Sequence, residues 1–133
     1  MILVDSSVWI DFFNEADTPA SLQLVKLLQV GDATVGTADL VIFEVLRGFR
    51  QGKAVQIAQS YLLDLPTVDI GGIHNAALAA EHYRYLRSRG HTIRSPIDVL
   101  LASYCITHKH MLLHRDADFD VMETLRGLKT WPH

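Results

Sequence analysis

Ile2-Leu3-Val4-Asp5-Ser6-Ser7-Val8-Trp9 lies at the start of this chain: three apolar residues in a row, an acid, two hydroxyls, then apolar residues again. A short apolar run without alternation reads as a strand buried on both faces, as in a parallel sheet. The arrangement returns near the other end as Met111-Leu112-Leu113-His114-Arg115-Asp116. Between the two, Ser95-Pro96-Ile97-Asp98 begins a strongly apolar helix and places an acid in its first turn. Buried parallel strands deliver the residues that follow them to one rim of the sheet, where α/β domains bind ligands. Three acids far apart in sequence are therefore expected to converge. Carboxylates held that close repel one another unless a cation lies among them, so the first functional expectation is a metal site.

The rest of the chain alternates strands and helices. Residues 2–5 are expected to form a strand, and Ser6 or Ser7 to cap a short helix reaching Asn14. Thr18-Pro19 opens a second helix that Gly31 stops. Thr34-Val35 reads as a minimal strand, and Thr37 or Ala38 as the start of a helix to about Phe49. A helix over roughly Ala54–Leu63 is ended by Pro66, and Val68-Asp69-Ile70 reads as a short strand. After Gly71-Gly72 a long helix runs to Arg89, with Gly90 as its left-handed cap. A helix from Pro96 to about His108, a strand at Met111-Leu112-Leu113, a short helix over Phe119–Leu125 and an edge strand at Leu128-Lys129-Thr130 complete the pattern. Such alternation implies a mainly parallel sheet covered by helices on both faces, in a single domain over residues 1–133.

The bulk properties exclude several classes. With 49% hydrophobic and 20% charged residues, the chain is globular rather than disordered. No apolar stretch approaches the ~18–20 residues needed to span a bilayer. No basic region precedes the first apolar run and Asp5 interrupts it, so a secretory signal is not expected and a cytoplasmic location is. Cys105 is the only cysteine, which precludes an internal disulfide and suits a small core residue. The net charge of −3 does not advertise nucleic-acid binding, but a metal site concentrates acids whose sign a bound ion reverses locally. The basic residues cluster. Arg84, Arg87, Arg89, His91 and Arg94 lie in a stretch without acids, with Tyr83 and Tyr85 flanking Arg84, and Arg47, Arg50 and Lys53 lie beside Glu44. They read either as solvated helix ends or as a phosphate-contacting rim.

Each acid taken singly has a plain structural reading. Asp5 suits a turn or helix cap, although Ser6 and Ser7 can serve that need. Asp98 suits the positive end of its own helix. Glu44 lies roughly 130° from the middle of its helix's apolar stripe at ~3.6 residues per turn, next to Arg47, and so reads as part of a solvated face. The Asp116-x-Asp118-x-Asp120 run suits a turn and cap. It does not suit a calcium loop, because Val121 and Gly127 stand where glycine and glutamate are required. The seven histidines show no zinc-ligand spacing and suit surface, helix-end or interface roles, and no glycine-rich phosphate loop is present.

In combination, Val4-Asp5-Ser6-Ser7-Val8-Trp9-Ile10-Asp11, Glu44-Val45-Leu46-Arg47-Gly48, Ser95-Pro96-Ile97-Asp98 and Leu113-His114-Arg115-Asp116-Ala117-Asp118-Phe119 resemble the PIN domain, and specifically the VapC toxin family of endoribonucleases. Each motif is weak alone, but four in this order cover essentially the whole chain. The resemblance implies a three-layer α/β/α fold and a Mg²⁺- or Mn²⁺-dependent site. It assigns Asp5, Glu44, Asp98 and Asp116 as the catalytic acids, with Asp5, Asp98 and Asp116 on the metal and Asp118 as an auxiliary ligand. Ser7 matches the family's hydroxyl beside the first acid, placed to hold a water or a phosphate. The resemblance also implies an RNA substrate, with Arg47, Arg50, Arg87, Arg89 and Arg94 as candidate contacts, a homodimer, and a cognate VapB-type antitoxin for which Phe43 is a candidate contact.

Oxygen ligands suit Mg²⁺ and Mn²⁺, and metal-assisted attack by water predicts 5′-phosphate and 3′-hydroxyl ends. The alternatives are a Mg²⁺-dependent phosphatase, a receiver-like signalling module and a non-catalytic RNA-binding relative. Against them stand the missing Asp-x-Asp after the first strand, the missing lysine after a late strand, and the intact set of four acids.

Overall fold

The computed structural model describes residues 1–133. Strand β1 (Ile2–Val4) is followed by α1 (Ser6–Phe13) and α2 (Pro19–Val30), β2 (Val35–Ala38) by α3 (Asp39–Arg47) and α4 (Lys53–Leu63), and β3 (Thr67–Val68) by α5 (Ile73–Ser88) and α6 (Pro96–His108). Then come β4 (Met111–Leu113), α7 (Ala117–Arg126) and β5 (Lys129–Thr130). The sheet order is β3-β2-β1-β4-β5, and every pairing is parallel. β1 is central and all three of its residues are buried, which is why its sequence does not alternate.

The chain steps outward from β1 through β2 to β3, then crosses back to β4 on the other side of β1. Right-handed crossovers running in opposite directions place their helices on opposite faces. Accordingly α1–α4 pack among themselves and α5–α7 among themselves, giving an α/β/α sandwich. The direction reverses between β1 and β4. Strand ends diverge at such a switch point and leave a crevice outside their carboxyl ends. No helix is long and apolar enough to cross a membrane.

Local chemistry sets most boundaries. Thr18 and Ser21 form a reciprocal capping box, Pro19 occupies the first turn, and Gly31 ends α2 at φ 73°. Gly90 is left-handed at φ 87°, and a Schellman pair ends α5, Gly90 N–H to Arg87 C=O and His91 N–H to Leu86 C=O. Cys105 is buried, as expected of a core residue, and burial pushes its thiol up to about 12.

Several boundaries differ from the sequence reading. Thr37 and Ala38 belong to β2 rather than to α3, because Thr37 N–H bonds Pro66 C=O at 2.9 Å and both residues pair with β3. Val-Gly-Thr-Ala lacks a strand signature, yet Gly36 is required there. A Cβ at Gly36 would lie 2.5 Å from the Met1 sulfur and 2.9 Å from the Pro66 carbonyl. β3 is Thr67–Val68 rather than 68–70, since Asp39 Oδ1 takes the Ile70 N–H at 2.8 Å. α7 begins at Ala117, two residues earlier than expected, because Asp116 caps it.

Candidate metal centre

Asp5 is the first residue past β1, and its N–H continues the ladder to Leu113 C=O at 3.0 Å, fixing it at the β1–β4 switch point. It is itself the N-cap of α1, the role the sequence offered to Ser6 or Ser7. Its Oδ2 accepts from Ser7 N–H at 3.4 Å and from Ser7 Oγ at 2.5 Å. Its Oδ1 is buried and has no partner. Ser7 therefore orients Asp5, and its hydroxyl proton is committed there. An unpartnered buried carboxylate oxygen is costly.

Asp98 arrives from the opposite face of the sheet. α6 runs antiparallel to the strands, so its N-terminus meets the carboxyl rim. Ser95 holds the cap position without a side-chain cap bond; its carbonyl instead accepts the Asp98 N–H at 3.1 Å. Glu44 comes from α3. Helices α1 and α3 pack together, and Ser6 Oγ donates to Glu44 Oε1 at 3.0 Å. Arg47 approaches the other oxygen at 3.9 Å. The half-buried Glu44 is thus drawn inward, not set on a solvated face as periodicity alone suggests.

One carboxylate oxygen from each of Asp5, Glu44 and Asp98 lies within 4.8 Å of the others. Asp116 is not among these three. It borders the same cleft with Asp118, Asp98, Ser95 and Arg94, a space of about 220 Å³. Asp116 Oδ1 accepts the Asp118 N–H at 2.9 Å, so the cap expected of this acid-rich run is present and both acids stay at the rim.

The electrostatics follow from this crowding. Burial, and then the charges of Asp5, Glu44, Asp116 and Asp118, push Asp98 up to about 8. Burial raises Asp5 above the usual carboxylate range against the hydrogen bonds from Ser7 and Ser6. Burial also raises Glu44, with Asp5 adding to the rise and Ser6 and Arg47 opposing it. Three carboxyls that resist ionising together, one with a bare buried oxygen, form a set of hard oxygen donors that fits a divalent cation.

Three supporting residues escaped the sequence reading. By sequence Ser6 suits only a helix cap. Asp11, buried in α1, accepts from Arg115 Nε at 2.7 Å and ties the β4–α7 turn to α1. His114, which by sequence suits a surface, helix-end or interface role, is 2% exposed. Its Nδ1 accepts the Asp116 N–H at 3.2 Å, which supports the turn that carries Asp116. Burial lowers the His114 pKa against the nearby acids, favouring the neutral ring. No local pattern marks these residues, since their partners lie tens of positions away in the chain or depend on burial.

Among the basic candidates, Arg94 lines the acidic cleft directly and Arg47 stands at Glu44. Arg87 and Arg89 lie over the rings of Tyr83 and Tyr85 at 5.6 and 5.2 Å. Arg50 is exposed after α3, with no ion pair to an acid.

The PIN domain profile matches residues 2–125. Ribonuclease VapC11 of Mycobacterium tuberculosis is 30% identical over 129 residues, covering 97% of this chain and 96% of that protein. Among solved structures, VapBC2 from Rickettsia felis, bound to a DNA fragment from their promoter, superposes with a TM-score of 0.72 at 19% identity, covering 99% of this chain and 100% of the other. FitAcB from Neisseria gonorrhoeae gives 0.73 at 17% identity, covering 99% and 97%. At these identities the structural likenesses speak for the fold.

Proposed function

Because this chain belongs to the PIN-domain family and is a VapC-type endoribonuclease toxin, we propose that it hydrolyses RNA phosphodiester bonds with a divalent cation, Mg²⁺ or Mn²⁺, held by Asp5, Glu44 and Asp98. The observation that carries this reading is the trio of acid oxygens within 4.8 Å, with Asp5 Oδ1 left bare. When bound, such an ion supplies Lewis acidity toward the phosphate and activates a water for attack.

The chain's own groups divide the remaining work. Ser7 fixes Asp5 and Ser6 fixes Glu44, so two of the three acids keep their orientation without the ion. Asp116 and Asp118 extend the negative rim beside Asp98, where they would help to hold a bound ion or its waters. Arg94, facing the same cleft, is placed to take a phosphate oxygen of the bound strand, and Arg47 to take another near Glu44. Arg50, Arg87 and Arg89 extend this basic rim.

Attack by water leaves 5′-phosphate and 3′-hydroxyl ends. The test is cleavage of RNA with Mg²⁺ or Mn²⁺ by the wild type, Asp5→Asn and Asp98→Asn, with analysis of the ends. Loss of cleavage in both variants is expected. Equal activity in all three, or 2′,3′-cyclic phosphate ends, refutes the assignment.

The family's pairing with an antitoxin extends the proposal. Phe43 is 55% exposed and Ile57 56% exposed, apolar side chains on α3 and α4 suited to a VapB-type partner that masks the acids. The working form is proposed to be a homodimer, acting on RNA in the cytoplasm.

A further inference from the structure

Beside the acidic cleft, α5 and the start of α6 enclose an open groove of about 460 Å³ to which the chemistry above assigns no role. That size lies within the ~300–1,000 Å³ of ligand clefts. The walls are apolar, with Ala80, Ile93, Pro96 and Leu100 among them, and Tyr83 presents the one aromatic ring. The only charged groups lining it are Arg84 and Arg94; no acid does. Arg94 also lines the cleft that holds Asp98, Asp116 and Asp118, so the groove and the acidic site share a wall.

These features select among occupants. A polyanion that leaves the acids on the Arg94 side enters an adjoining space that is apolar. The flat face of a nucleobase packs in such a space and a hydrated phosphate does not. The two guanidinium groups on the rim suit the phosphates on either side of that ring. A strand in a duplex keeps its bases stacked and paired, so only an unpaired nucleotide presents its base in this way.

We propose that this groove is a base-binding subsite for single-stranded RNA. It takes the unstacked base of the nucleotide next to the scissile phosphate, with Tyr83 as its stacking partner and Arg84 and Arg94 as its phosphate contacts. The subsite rests on the ribonuclease reading for its substrate and determines cleavage specificity by which bases fit between Tyr83 and the α6 wall.

The test measures binding rather than cleavage. In an Asp98→Asn background that keeps RNA intact, fluorescence anisotropy compares a short oligoadenylate with the same strand carrying abasic ribose. The strand with bases is expected to bind on the order of tenfold more tightly, from stacking of a base on the aromatic ring. Tyr83→Ala, or Ala80→Leu filling the groove, removes that difference, and Tyr83→Phe retains it. Equal binding of the two strands by the protein with an unaltered groove overturns the subsite. So does an Ala80→Leu variant that binds RNA unchanged but sediments as a smaller species, which makes the face a contact with a second copy of this chain. Failure of the ribonuclease reading is separate: the wild type then cuts no RNA, while base-dependent binding is measured independently.

Discussion

Asp98→Asn is expected to make the cation-free protein more stable, although it removes an acid from the first turn of α6. In the folded chain the Asp98 carboxyl is pushed from 3.8 up to about 8 by burial and by four neighbouring acids. A folded-state pKa above the unfolded value means that the folded protein holds more protons through that window. Stability is therefore lost as pH rises from about 4 to about 8, and the full penalty is present above that. At ~1.36 kcal/mol per pKa unit the elevation corresponds to ~5–6 kcal/mol, and water in the cleft and movement of the rim acids reduce the felt cost to about 2–3 kcal/mol. Asparagine also forfeits the carboxylate's attraction to the α6 N-terminus, about 0.5 kcal/mol. The net gain of roughly 2 kcal/mol corresponds to a Tm higher by roughly 6–10 °C for a domain of this length. Thermal unfolding in a chelator at pH 8 measures it. The gap should close at pH 4, where the wild-type carboxyl is protonated, and adding Mn²⁺ should raise the wild-type Tm far more than the variant's. A variant less stable than wild type at pH 8, or a gap that does not change with pH, refutes the picture of a buried Asp98 raised by burial and by neighbouring acids.

Cation binding should be linked to protons for the same reason. The Mn²⁺ affinity of the wild type should fall up to about tenfold per pH unit below 8 as Asp98 holds its proton, and calorimetry in buffers of different ionisation enthalpy should detect proton release; pH-independent affinity would contradict this. Ser6→Ala frees Glu44 from its 3.0 Å hydrogen bond, so RNA cleavage should drop several-fold while urea unfolding shifts by no more than about 1 kcal/mol. His114→Ala leaves a cavity against Phe119 and removes the acceptor for the Asp116 N–H, so urea unfolding should register a loss of about 2–4 kcal/mol, and a loss below ~0.5 kcal/mol would mean the ring supports neither.

The acids differ in how far sequence reveals them. Asp5, Asp98 and Asp116 lie at a strand end, a helix start and the turn after a strand, positions that the topology sends to one rim, and apolar patterning reveals all three. Glu44 is different. On α3 taken alone it faces away from the apolar stripe, and only the resemblance singled it out. Helix α1 covers that face, and Ser6 holds the carboxylate there. The metal trio drawn from the resemblance, Asp5, Asp98 and Asp116, is also not the closest set of three. Glu44 stands nearer to the other two, because Asp116 is engaged in capping α7 and stays at the rim.

Sequence alone determined the alternation of buried strands and helices, and with it the parallel sheet and the rim where acids collect, because burial on both faces and helix capping leave local traces in residue order. The tertiary structure decided which acids share a cation-sized space, that Ser6, Asp11 and His114 support them, and that Arg94 joins the acidic cleft to an apolar groove. Those relations depend on packing between segments tens of residues apart, and neither a propensity nor a periodicity carries information across that distance.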